Sequence, residues 1–171
     1  MLKKQTLNKA TTKNRGRTLV LERTFKASRA ALFKAYTDAD MLKQWWGPHG
    51  WALDYCSVES VSGGSWHYCL MCVDETKDYF GTKSWGKAVY QTVESPAIIQ
   101  YEEYFSNEAG ESLSKMSTTL VTVRFVEEKD KTKLVNEIEF PDKAALQKVL
   151  NMGLVLSLGE GWDKLAKLLG K

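Results

Sequence analysis

Residues 142–169, DKAALQKVLNMGLVLSLGEGWDKLAKLL, decide the fold. Leu150, Leu154, Leu158, Trp162, Leu165 and Leu169 recur every three or four positions and form one apolar stripe, which Val149, Met152 and Leu156 widen. Pro141 stands where a first helical residue would, so the stretch reads as one long helix over Asp142–Leu169. A helix apolar over so much of its circumference needs cover on more than one side, and a curved sheet wrapped around it provides that cover. Gly153, Gly159 and Gly161 disagree with an unbroken helix, at up to about 1 kcal/mol each relative to alanine. The expectation is a kink near Gly159–Gly161, or a close approach of helix and sheet there.

The preceding residues supply such a sheet. Thr18–Phe25 reads as a strand, and Ser28 then sits as an N-cap for a helix over Arg29–Tyr36. Asp40 is a second N-cap candidate, for a short helix through Met41, Leu42 and Trp45 that Gly47-Pro48 must stop. Six further strands are predicted: Ala52–Ser60, Ser65–Val73, Tyr79–Thr92, Ala97–Ser106, Met116–Val126 and Lys133–Phe140. Short polar turns separate them, which implies an antiparallel meander. The fold class is α+β: a curved antiparallel sheet of about seven strands around a long C-terminal helix, with two short helices after the first strand.

The chain has 171 residues and 43% apolar content, enough for one well-buried domain without disulfides or a structural metal. Residues 1–17 carry six basic side chains and no acid, so with a whole-chain charge of +3 the remainder is net acidic by three charges. Residues 1–17 are expected to be a solvated, disordered basic tail and residues 18–171 a single domain. No apolar run approaches the ~20 residues that span a bilayer, and no secretory signal follows the N-terminal lysines. The three cysteines, Cys56, Cys69 and Cys72, are an odd number and read as free thiols of a reducing compartment. The expectation is a cytoplasmic protein with no membrane insertion and no specific nucleic-acid partner, as a monomer or homodimer.

Local motifs carry a resemblance. Phe25-x-Ala27-Ser28, then Leu32-Phe33-x-Ala35-Tyr36-Thr37-Asp38, then Leu42-x-x-Trp45-Trp46-Gly47-Pro48-x-Gly50 resemble the opening of the activator of heat-shock protein 90 ATPase homologue-like family. Gly63-Gly64-Ser65-Trp66-x-Tyr68 is similar to that family's glycine-pair start of a strand, and Glu160-Gly161-Trp162 with Leu165 and Leu168 to its closing helix. The likeness covers about residues 18–170. It implies the helix-grip fold of the Bet v 1/START-like superfamily, with a groove between sheet and helix that commonly accepts apolar small molecules, and no fixed catalytic set. Asn136 departs from the family, which usually carries an apolar residue there, and His67, Cys69 and Cys72 lie on a strand that varies in other members.

The chemistry-bearing residues narrow the function further. Cys69 and Cys72 have C-x-x-C spacing, but inside a strand they fall on opposite faces, so they do not share a metal. His67 and Cys69 share a face, and two ligands do not make a structural zinc site without recruiting Cys56 or His49. Common enzyme signatures are lacking, and Glu160, the one acid in a family motif, reads as a solvated or capping carboxylate. No catalytic residue, metal or cofactor is assigned. Period two groups Trp66, Tyr68 and Leu70 on one face, Val121, Val123 and Phe125 on another strand, and Leu134, Asn136, Ile138 and Phe140 on the last. Those faces should look at the long helix, with the Asn136 amide among apolar neighbours, satisfied by Tyr68, Tyr101, a ligand, a water or the backbone. Trp45 and Trp46 close one end of the core or lid the groove mouth.

The reading is binding of a small apolar or amphipathic molecule by Trp46, Trp66, Tyr68, Trp85, Tyr101, Phe125, Asn136, Leu158 and Trp162. The resemblance adds a co-chaperone-like regulator of heat-shock protein 90 as an alternative. A cyclase- or hydrolase-like enzyme using the cavity is the third.

Overall fold

The computed structural model describes residues 10–113 and 118–170. Eight strands form one antiparallel sheet: β1 (Thr11–Arg15), β2 (Thr18–Phe25), β3 (Trp51–Val58), β4 (Ser65–Cys72), β5 (Lys83–Glu94), β6 (Ile98–Ser106), β7 (Thr119–Glu128) and β8 (Lys131–Glu139). Their order is β1-β2-β8-β7-β6-β5-β4-β3, so the chain's first long strand pairs with its last and the rest form a meander. Irregular register at Leu53/Tyr55 and at Tyr90/Thr92 marks bulges, which bend and twist their strands and help curve the sheet.

The helices fill the concave side. Ser28 caps α1 (Arg29–Thr37) by accepting the Ala31 amide at 3.1 Å. Asp38 caps α2 (Ala39–Trp45) by accepting the Met41 amide at 2.9 Å, which corrects the expectation that Asp40 does so. Asp40 lies in the first turn instead, where its charge favours the positive end of the helix dipole. At the C-terminus the expected single helix is two, α3 (Lys143–Asn151) and α4 (Leu154–Leu169). Gly153, at φ +86°, breaks them in the left-handed conformation that terminates helices. The kink therefore falls at residue 153, and Gly159 and Gly161 lie inside α4. A Cβ on Gly161 would reach 3.5 Å from the Gly47 carbonyl oxygen, so the close approach is between helix and the loop after α2, not between helix and sheet.

Two further expectations shift. Residues 11–15, read as part of a disordered tail, form β1 against β2, where the Arg15–Thr18 pair closes a tight hairpin through Gly16 at φ +62°. The tail's first nine residues, and the predicted start of a strand at Met116, lie outside the described residues. The strand predicted from Tyr79 begins at Lys83. Residues 77–82 close turns through the Phe80 and Thr82 amides, the Gly81 amide donates to the Cys72 carbonyl, and Tyr79 and Phe80 are exposed.

One core joins sheet and helices. Trp45, Trp66, Trp162 and Phe125 are fully buried in it with Leu19, Leu21, Leu134 and Leu165. The indole N–H groups find partners inside: Trp45 donates to the Ala35 carbonyl at 2.9 Å and Trp162 to the Tyr36 hydroxyl at 2.8 Å. Among the described residues no helix is long and apolar enough to cross a membrane.

Candidate functional site

Between the concave face of the sheet and the two C-terminal helices lies a cavity of about 430 Å³, inside the range of ~300–1,000 Å³ usual for small-molecule sites. The sheet contributes alternate residues of β6, β7 and β8: Tyr101 and Glu103, Val121, and Asn136 with Ile138. Their shared face follows from the register, which pairs Tyr101 with Val121 and Val121 with Ile138. The helices contribute Val149 from α3 and Leu158, Gly161 and Trp162 from α4, and the loop after α2 contributes Trp46 and Pro48. Met152, 71% exposed at the break between α3 and α4, and Phe105, 45% exposed, both line the cavity and mark its mouth.

That loop is pinned at its base. Glu160 of α4 accepts the His49 amide at 2.8 Å, and Lys164 reaches the Pro48 and Trp51 carbonyls at 3.5 Å. Partial burial pulls the Lys164 ammonium below its usual pKa, with Glu160 opposing the shift. Trp45 and Trp46 both reach the cavity wall. Trp45 is buried in the core as well, whereas Trp46 is half-buried and edge-on to Trp66 at 4.6 Å between ring centroids.

Of the residues singled out from the sequence, Trp46, Tyr68, Tyr101, Asn136, Leu158 and Trp162 border this cavity. Trp66 and Phe125 do not: Trp66 sits behind Trp46 and Tyr68, and Phe125 packs against Phe33 and Tyr36. Trp85 touches the cavity boundary, but its ring lies with His67 and Tyr55 at 5.0 and 5.5 Å. Trp85 pairs with Cys69, one residue out of phase with the inward Tyr68 and Gly86, so its ring belongs to the convex face. Cys69 and Cys72 are both buried free thiols. Among the described residues no three His, Cys, Asp or Glu side chains converge as metal ligands would.

The polar groups on the wall are few. Asn136 is 6% exposed, and its Oδ1 is buried without a hydrogen-bond partner among the described residues. The Tyr36 hydroxyl accepts from Trp162, which leaves its own proton to donate. Burial holds the Tyr36 phenol well above its ordinary pKa. Tyr68 donates to Glu103 Oε1 at 2.6 Å. Gly86 makes that bond possible, because a Cβ there would stand 2.5 Å from the Tyr68 ring carbon and hydroxyl oxygen. Tyr68 thus lies flat across β5 to reach β6. Burial pushes the Glu103 carboxyl above the ordinary carboxylate range, and the Tyr68 hydrogen bond pulls it back. Burial, then the neighbouring Glu103 charge, drive Tyr68 and Tyr101 well above the usual phenol value.

Glu103, Tyr36 and Gly86 were not among the residues singled out from the sequence. Glu103 carries a legible signal, since it lies two residues from the inward Tyr101 on the same strand and must share its face.

Comparisons with known proteins agree with the geometry. A family model described as activator of Hsp90 ATPase homolog 1-like protein matches residues 26–170. Among solved structures, protein Ms6760 from Mycobacterium smegmatis superposes with a TM-score of 0.82 at 21% identity, covering 94% of this chain and 96% of that one. A Staphylococcus epidermidis protein solved by NMR gives 0.81 at 28% identity, covering 94% and 93%. An Arthrobacter aurescens protein gives 0.83 at 22% identity, covering 94% and 91%. These likenesses are of fold. No curated protein matches the chain.

Proposed function

We propose that this chain, which belongs to the activator of Hsp90 ATPase homolog 1-like protein family, binds a small amphipathic molecule in the cavity between its sheet and C-terminal helices. The observation that carries the reading is the buried Asn136 Oδ1, without a partner among the described residues, on the wall of a mostly apolar 430 Å³ space. A buried acceptor left unsatisfied costs about 1–3 kcal/mol, and a ligand that donates a hydrogen bond recovers it. Apolar walls supply affinity by burial, and the few polar atoms fix orientation. The occupant is therefore a compact, mostly apolar body carrying at least one donor.

The test is thermal unfolding against a panel of fatty acids, sterols, flavonoids and a fluorescent apolar dye, with Val149→Phe as a variant whose cavity is filled. A ligand at a hundredfold excess over its Kd stabilises by about 2.7 kcal/mol, roughly 5–10 °C in Tm for a chain of this size. At least one class should shift the wild type and fail to shift Val149→Phe. A panel that leaves the wild-type Tm unmoved refutes the reading. The family's description suggests a chaperone-directed role as well. Such a role would draw on an outer surface rather than the cavity, and stimulation of a heat-shock protein 90 ATPase that survives in Val149→Phe would establish it.

A further inference from the structure

Glu103 is the only acid among the described residues lining the cavity. Its Oε1 accepts the Tyr68 hydroxyl, and among the described residues it takes part in no ion pair. Tyr101 and Phe105 flank it at two residues' distance on the same face of β6, and Tyr68 lies across from it. A carboxylate in such surroundings is unfavourable unless it is neutralised or paired. The one buried atom of the cavity wall without a hydrogen-bond partner among the described residues, Asn136 Oδ1, is also an acceptor. The Tyr36 proton asks for an acceptor, whereas Asn136 asks for a donor and Glu103 for a positive one. Aromatic faces beside an acid are the usual surroundings of a bound ammonium. Lys148, the one cation among the described residues of the lining, is exposed on α3 and makes no ion pair with Glu103.

We infer that the natural ligand carries a protonated amine, seated on Glu103 beside Tyr68, Tyr101 and Phe105, with its apolar body directed along the cavity. The inference rests on the cavity being a ligand site. The charge-assisted bond from the ammonium goes to the carboxylate, which Tyr68 holds from one side. A neutral alcohol of the same shape would make a hydrogen bond but would not offset the charge of the half-buried carboxylate.

Matched pairs separate these cases: phenethylamine and phenethyl alcohol, tryptamine and tryptophol, naphthylmethylamine and naphthalenemethanol. Each is titrated calorimetrically at neutral pH into wild type, Glu103→Gln and Tyr68→Phe, with the fluorescent dye run in parallel on wild type and Val149→Phe. Wild type should bind at least one amine about tenfold or more tighter than its alcohol, a preference of one unit in log Kd. Glu103→Gln should abolish the preference, and Tyr68→Phe should reduce it. Alcohols that bind as tightly as their amines, or a preference that survives Glu103→Gln, overturn the inference. If the dye binds wild type but not Val149→Phe and no amine is preferred, the amine inference falls and the cavity reading stands. If neither dye nor any pair binds, both fall together.

Discussion

Asn136 and Gly86 show how single positions set the cavity's chemistry. Asn136→Leu exchanges an orphaned acceptor for an apolar side chain of similar length among Leu134, Ile138 and Val123. The variant should be at least as stable as wild type, because a penalty of about 1–3 kcal/mol disappears. It should also bind a donor-bearing ligand about tenfold more weakly, the loss of one polar contact. Chemical denaturation and titration of one variant read both effects, and unchanged affinity in a stable protein would remove Asn136 from the site. Gly86→Ala acts at a distance from any ligand. The new methyl collides with the Tyr68 ring and must push its hydroxyl away from Glu103. Overpacking of this kind costs about 1–3 kcal/mol, and the amine preference should fall as it does in Tyr68→Phe, which breaks the same bond without the collision. If Gly86→Ala keeps the full preference, Tyr68 does not hold Glu103 in its working position.

At the scale of elements, the strand and helix order is legible because two periods write it. Alternation runs through β4, β7 and β8 with an apolar face that the register then stacks, and the 3.6-residue stripe runs through α4. The same alternation placed Tyr68 and Asn136 inward from sequence alone. It says nothing of Trp85, because β5 is long and bulged and its own pattern does not say which of its faces is concave; only pairing to Cys69 and Ser106 settles that. The Tyr68–Glu103 bond is illegible for a related reason, since it crosses an intervening strand through Gly86. The helix break is a matter of dihedral angle. Three glycines stand in the C-terminal stretch, and only Gly153 adopts positive φ. No atom crowds a Cβ built there, so Gly153→Ala bears only the backbone penalty, about 1–2 kcal/mol. Its Tm should drop by roughly 2–8 °C, and Gly153→Asn, a residue that tolerates this conformation, should lose less. A Gly153→Ala protein as stable as wild type would mean that α3 and α4 can join as the sequence suggested.

Across the whole molecule, sheet and helices share one core, so the ionisation of a single group inside it should register in global stability. Glu103 is the group that makes this measurable. Its carboxyl is raised above the ordinary value by burial, so the folded state holds a proton that the unfolded chain releases at lower pH. Stability then falls with rising pH wherever the native state binds the extra proton. For Glu103 that window opens at the unfolded pKa, about 4.3, and closes at the higher folded value. The contribution is fully present below the window and lost above it. The phenols of Tyr68, Tyr90 and Tyr101 that surround the site are all raised above their usual range and do not titrate there. Subtracting the unfolding free energy of Glu103→Gln from that of wild type cancels the remaining carboxylates. The difference should favour wild type most at acid pH and shift steadily toward the glutamine variant as pH rises toward neutrality. Saturating a protonated amine should flatten that slope, because the cation takes over the compensation that the proton provides in the empty cavity. A pH-independent difference would place the Glu103 carboxylate in contact with solvent, and with it would go the physical reason for a cationic ligand.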